Sequence, residues 1–180
     1  RIHRCDARGA GPRSWDVPEN IGSMALREAG GAVCALHDGF YSFDFDSGVA
    51  EKIVDPDPGK PRIRLNDGKV DRQGRFLAGY MDVEECEPLC KLFRLDRDFT
   101  VTELDRDIVC SNGPCWSPDG GTFYFADTTV KTINAYDDDQ ETGAVSNRRD
   151  FASFEGQRGF PDGATVDSEG YIWSVEVYSG

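Results

Sequence analysis

The chain is written in short runs of apolar and alternating residues separated by Gly-, Asp- and Pro-rich turns, with no amphipathic helical stretch between them. The clearest run is Phe76-Leu77-Ala78-Gly79-Tyr80-Met81, which predicts a strand. Ahead of it stand a polar cluster, Arg64 to Asp67, then Val70, then Asp71 and Gly74 spaced like the ends of a type I turn. The same order recurs twice. Asn112-Gly113 leads through Trp116 and the turn Ser117-Pro118-Asp119-Gly120 to Phe123-Tyr124-Phe125, and Asp162-Gly163 leads through Val166 and Asp167-Ser168-Glu169-Gly170 to Tyr171-Ile172-Trp173. In each copy a polar residue (Asn66, Asn112, Asp162) stands eight positions before the turn glycine.

A second element lies between these copies. Ile2 to Asp6 with Ser14 to Asp16, Tyr41 to Asp44 with Val49 to Ile53, Leu92 to Asp96 with Val101 to Leu104, and Ile133 to Asp137 with Ala144 to Ser146 each read as a hairpin. The turn glycines Gly30, Gly74, Gly120 and Gly170 step by 44, 46 and 50 residues. Two interleaved β elements at that period give about four strands per repeat, the signature of propeller blades. The expected fold is all-β, a partial propeller of about four blades forming a single domain over residues 1–180, with inner strands beginning near Leu65, Cys115 and Ala164. A polar residue fixed at one point of every blade would face the axis, so Asn66, Asn112 and Asp162 are expected to converge. Asn and Asp beside Gly are also ordinary turn formers, but three copies at one spacing favour a site. The earliest repeat has Gly22 at that position, which either contributes nothing or makes room for a ligand.

Charge narrows the partners. A net charge of −13 argues against nucleic acid and against anionic membranes, both of which need basic patches. No apolar run reaches the length of a membrane helix, and the N-terminus lacks a signal-peptide core. The six cysteines have no zinc-ribbon spacing and read as free thiols, from which a cytoplasmic location is expected.

Two amides and a carboxylate make a hard-oxygen site that suits Ca²⁺, Mg²⁺ or Mn²⁺, and a second carboxylate is expected to join it. Asp67, Asp127 and Glu176 are candidates by composition, each read first as a structural acid. Asp162 could also act as a general base. Arg64, two residues before Asn66 and on the same face of an extended strand, could hold a substrate oxygen. His3 and His37 sit in or beside strands away from the motifs, so no Ser-His-Asp arrangement is available.

Together, Arg64-Leu65-Asn66-Asp67-Gly68-Lys69-Val70-Asp71 with Gly74-Arg75-Phe76, Ser111-Asn112-Gly113 with Trp116 to Gly120, and Pro161-Asp162-Gly163 resemble the senescence marker protein/regucalcin/gluconolactonase family, the sugar-lactone lactonases in particular. The resemblance extends over nearly all of the chain. It implies a six-bladed propeller, one central divalent ion (Ca, Zn, Mg or Mn) and hydrolysis of a sugar lactone to the aldonic acid. Carried over by motif, Asn112 and Asp162 correspond to metal ligands, Asp162 also to the acid/base, and Arg64, Asn66 and Glu84 to substrate contacts. Related readings are a non-catalytic calcium-binding regulatory propeller and an esterase or phosphotriesterase of the same architecture. Three departures stand out: the family's Gly-Glu-Gly-Pro motif, which carries another metal-ligating Glu, is absent; Tyr80 stands where Thr is usual; and about two blades' worth of sequence is missing. The chain alone is therefore expected to bind metal poorly and to be nearly inactive.

Overall fold

The structure, a computed structural model, describes residues 1–179. Ile2–Arg4 (β1) and Arg13–Trp15 (β2) form a hairpin. Ile21–Leu26 (β3), Ala32–Leu36 (β4), Gly39–Phe43 (β5) and Ala50–Val54 (β6) make a four-stranded antiparallel sheet in sequence order. Two more sheets repeat it: Ile63–Val70 (β7), Phe76–Asp82 (β8), Cys90–Leu95 (β9) and Val101–Ile108 (β10), then Ser111–Trp116 (β11), Thr122–Asp127 (β12), Thr132–Asp138 (β13) and Val145–Ser153 (β14). Phe160–Val166 (β15) and Ile172–Val177 (β16) form a closing hairpin. Three whole blades and two half blades are thus present, and Phe76–Met81 and Phe123–Asp127 are strands as the patterning predicts.

The blades share one axis because the first strand of each lies beside the first strand of the next: β3 beside β7, β7 beside β11, β11 beside β15. The glycines that set the repeat period close the turn after each first strand. Gly30, Gly74, Gly120 and Gly170 all have φ between 77° and 93°, a left-handed conformation that costs a residue with a Cβ.

Middle strands are sandwiched on both faces, which explains why they read as unbroken apolar runs rather than alternations. Every residue of β4 and β8 is buried. Val33 and Ala35 of β4 join a core with Phe76 and Tyr80, while Ala32, Cys34 and Leu36 on the other face pack with Ile2 and Trp15 of the first hairpin. Phe40 meets Phe76 edge-on across the blade boundary, ring centroids 6.0 Å apart. Burying a side chain of that size is worth about 1.5–3 kcal/mol. Outer strands are wetter, and β14 and the closing hairpin leave Phe151, Tyr171, Trp173 and Val175 more than half exposed.

Candidate functional site

The inner strands begin earlier than their sequence suggests, at Ile63, Ser111 and Phe160 rather than near Leu65, Cys115 and Ala164. The reason is a bulge. Register is interrupted between Ile21 and Ser23, between Leu65 and Gly68, between Asn112 and Cys115, and between Pro161 and Ala164. The motif residues therefore lie inside a strand, at or next to an irregularity of the kind that re-aims side chains, not in a turn before it.

Gly22 occupies the bulge of its blade and makes room for protein, not ligand. A Cβ there would lie 2.4 Å from the Asn66 carbonyl oxygen and 2.5 Å from that of Leu65. Gly113 serves likewise at the β11–β15 boundary, where a Cβ would meet the Asp162 carbonyl oxygen at 2.7 Å.

These strands bring Arg64, Asn66, Asn112 and Asp162 into the lining of one cavity of about 260 Å³. Met81, Cys110, Val177 and Tyr178 give it apolar walls, and Glu85 and Thr128 add polar groups. A larger groove, about 500 Å³, lies at the other end of the inner strands among Leu26, Val33, Val70 and Phe76. It holds none of the convergent amides, so chemistry rather than size marks the site.

Within the cavity, the Asn66 amide nitrogen donates to the Ser111 carbonyl (2.8 Å) and to Asn112 Oδ1 (3.2 Å). Asn112 is 7% exposed, and its Nδ2 donates to Thr128 Oγ1 at 2.8 Å. Burial raises the Asp162 carboxyl above its ordinary range, and the charge of Asp67 adds to the shift, against a hydrogen bond from the Gly163 amide. Arg64 rests one guanidinium nitrogen on the Leu65 carbonyl at 3.2 Å and, among the described residues, has no carboxylate partner.

The candidate second carboxylates sort differently. Asp67 accepts from the amides of Gly68 (2.8 Å) and Gly113 (2.9 Å), so it ties β7 to β11. Asp127 is buried and accepts from the amides of Val109 and Cys110, both at 3.0 Å. Glu176 is exposed, paired across the ladder with Pro161.

Glu84 does not line the cavity. Its side chain is 65% exposed and lies 3.3 Å from Arg62. Asp82 is the cause: it accepts from the amides of Glu84, Cys86 and Glu87 and winds the chain into a tight loop after β8. In that loop Glu85 takes a left-handed φ of 53° and is the residue that lines the cavity. Two consecutive glutamates were visible in the sequence, but strand alternation stops at Asp82 and could not choose between them. Thr128 carried no sequence signal at all.

As holders of a divalent ion the residues fit in kind, since Asn66, Asn112 and Asp162, which carry hard oxygens, line one cavity. They fall short in charge: no group of three or more His, Cys, Asp or Glu suited to a metal occurs among the described residues. The thiols do not change this. Cys34, Cys90, Cys110 and Cys115 are buried, with burial pushing them up to about 11 or 12, and all six cysteines are unpaired.

The SMP-30/Gluconolactonase/LRE-like region matches residues 1–180. The chain belongs to that family. Regucalcin of Xenopus laevis is 37% identical over 186 residues, covering all of this chain and 62% of its own. A 6-deoxy-6-sulfogluconolactonase of Pseudomonas putida is 35% identical over 182 residues with the same coverage. Among solved structures, a calcium-binding regucalcin from Agrobacterium tumefaciens superposes with a TM-score of 0.89 at 27% identity, covering 97% of this chain and 59% of that one. The chain thus spans about 62% of the length of these curated relatives, and its sheets are the blades of the family's six-bladed propeller.

Proposed function

We propose that the protein of which these residues form the site hydrolyses a sugar lactone with the help of one divalent ion. The observation that carries this reading is the meeting of Asn66, Asn112, Asp162 and Arg64 in one cavity, within a family whose members include a sulfogluconolactonase. Asn112 and Asp162 would hold the ion (Ca²⁺, Mg²⁺, Mn²⁺ or Zn²⁺), which when bound supplies polarisation of a carbonyl and of a water. Asp162 takes a proton at a carboxylate oxygen and returns it to the leaving hydroxyl. Arg64, free of any acid partner among the described residues, donates to oxygens of the ring. Asn66 and Glu85 accept from its hydroxyls, a pairing of donors and acceptors that a polyhydroxylated substrate needs and an apolar ester does not. Free thiols accord with a reducing, cytoplasmic setting.

The test is turnover of a sugar lactone by the full-length protein that contains these residues, with and without chelator, beside Asp162→Ala. Chelator-sensitive turnover lost in Asp162→Ala supports the reading. Calcium binding with no turnover would favour the regulatory propeller, in keeping with the regucalcin relatives. Unchanged turnover in Asp162→Ala would remove both roles given to that residue.

A further inference from the structure

The hydrogen bonds between the two cavity amides run in one direction, and that direction can be derived. The Ser111 carbonyl can only accept, so the Asn66 atom 2.8 Å from it is the NH₂ nitrogen. The second hydrogen of that group is then left for Asn112, whose facing atom at 3.2 Å must be Oδ1. Asn112 Nδ2 is thereby turned away, toward Thr128 Oγ1 at 2.8 Å, where the hydroxyl accepts. Among the described residues its only other hydrogen-bond partner is the Cys110 sulfur at 3.7 Å, a weak acceptor. No donor among the described residues reaches Asn66 Oδ1, and Asn112 Oδ1 keeps a second lone pair.

Thr128 is itself fixed. It is 5% exposed, its amide donates to the Cys110 carbonyl at 2.9 Å, and its neighbour Asp127 clamps the amides of Val109 and Cys110. The hydroxyl thus sits at a set point beside the segment that leads into Asn112.

From this we infer that Thr128 is a positioning residue that holds the Asn112 amide in the direction set by the Ser111 carbonyl through Asn66, completing a polar chain Ser111–Asn66–Asn112–Thr128 that presents acceptors, not donors, to whatever binds there. An amide reversed by half a turn would offer the cavity two N–H groups and repel a cation or an electropositive hydroxyl hydrogen. Both amides are coupled, because Asn66 can donate to Asn112 only while Nδ2 stays on the far side, where Thr128 Oγ1 accepts from it. The inference deepens the reading of the cavity as a hard-cation and sugar site, and its cation-binding consequence rests on that reading.

The experiment uses Thr128→Val, which keeps the shape and removes the acceptor, and Thr128→Ser, which restores it. Calorimetric titration of the full-length protein that contains these residues with Ca²⁺ or Mn²⁺ should show an affinity loss of about tenfold or more in Thr128→Val, as expected when the partner of a ligand is removed. Thr128→Ser should stay near the parent, and melting temperatures of folded Val and Ser variants should not track the affinity loss. Equal affinity in parent and Thr128→Val would overturn the inference. If the parent binds neither ion, the proposed function fails instead, and the amide orientation is then read in the metal-free protein by NMR. Nuclear Overhauser contacts from the Asn112 amide hydrogens to the Thr128 side chain are expected; their absence, or their replacement by contacts across the cavity to Asp162, would overturn the inference on its own.

Discussion

Asp82 and Asp127 close the second strands of two adjacent blades, both fully buried and both gripping backbone amides of the segment nearby. They differ in one partner. Arg62 lies against Asp82, with Nε 2.7 Å from one oxygen and Nη2 2.8 Å from the other, and holds that carboxyl well below the usual range. No guanidinium is bonded to Asp127 among the described residues; burial raises its carboxyl despite the amides of Val109, Cys110 and Val130 and the more distant charge of Arg148. A bonded cation added to backbone amides outweighs desolvation, whereas amides without one do not. The cationic arrangement holds a surface loop, and the uncharged one holds the strand entrance that carries Asn112.

The comparison breaks most directly at Asp127. Replacing it with Ala strands two buried amides, each costing about 1–3 kcal/mol, so urea unfolding should show a loss of about 2–6 kcal/mol. A loss under about 1 kcal/mol would show that water replaces the carboxylate there. Arg62→Met is expected to lower the melting temperature by less, since Asp82 keeps its three amides. A larger fall than in Asp127→Ala would mean that the ion pair, not the amide cage, holds that loop.

The subtlest difference lies in pH. The folded Asp82 carboxyl is depressed, so its contribution is fully present above the unfolded-state value of about 3.9 and is lost as pH falls below it. The folded Asp127 carboxyl is raised, so between about 3.9 and its raised value the folded state binds more protons than the unfolded one, and stability falls as pH rises through that window. Unfolding midpoints followed from roughly pH 3 to 7 should therefore lose this downward slope in Asp127→Asn and lose part of the acid-side drop in Asp82→Asn. Parallel curves for the two variants would erase the distinction.

Much of this architecture was legible because turns and blade cores have strict chemical demands. Left-handed turn positions call for Gly30, Gly74, Gly120 and Gly170, and twice-covered strands call for runs such as Phe76 to Met81. The convergence of Asn66, Asn112 and Asp162 was legible from spacing alone. What spacing could not supply was anything that depends on pairing. The bulges exist only as a mismatch between two strands, so the inner strands were expected to begin later than Ile63, Ser111 and Phe160. Gly22 is explained by a carbonyl on the neighbouring blade. Glu85 displaced Glu84 because Asp82 coils the loop between them and the strand. Thr128 acts through one hydroxyl whose partner stands 16 residues away.

The bulge on the first strand of each blade has an evolutionary consequence. Its irregularity does not spread: the next pairs, β4 with β5, β8 with β9 and β12 with β13, run without a register shift. A lineage can therefore exchange a bulge residue that lines the cavity, such as Asn66, Asn112 or Asp162, without re-threading the sheet behind it. Heritable change in ligand preference and heritable constancy of scaffold are written into different strands, and selection can act on one while the other stays put.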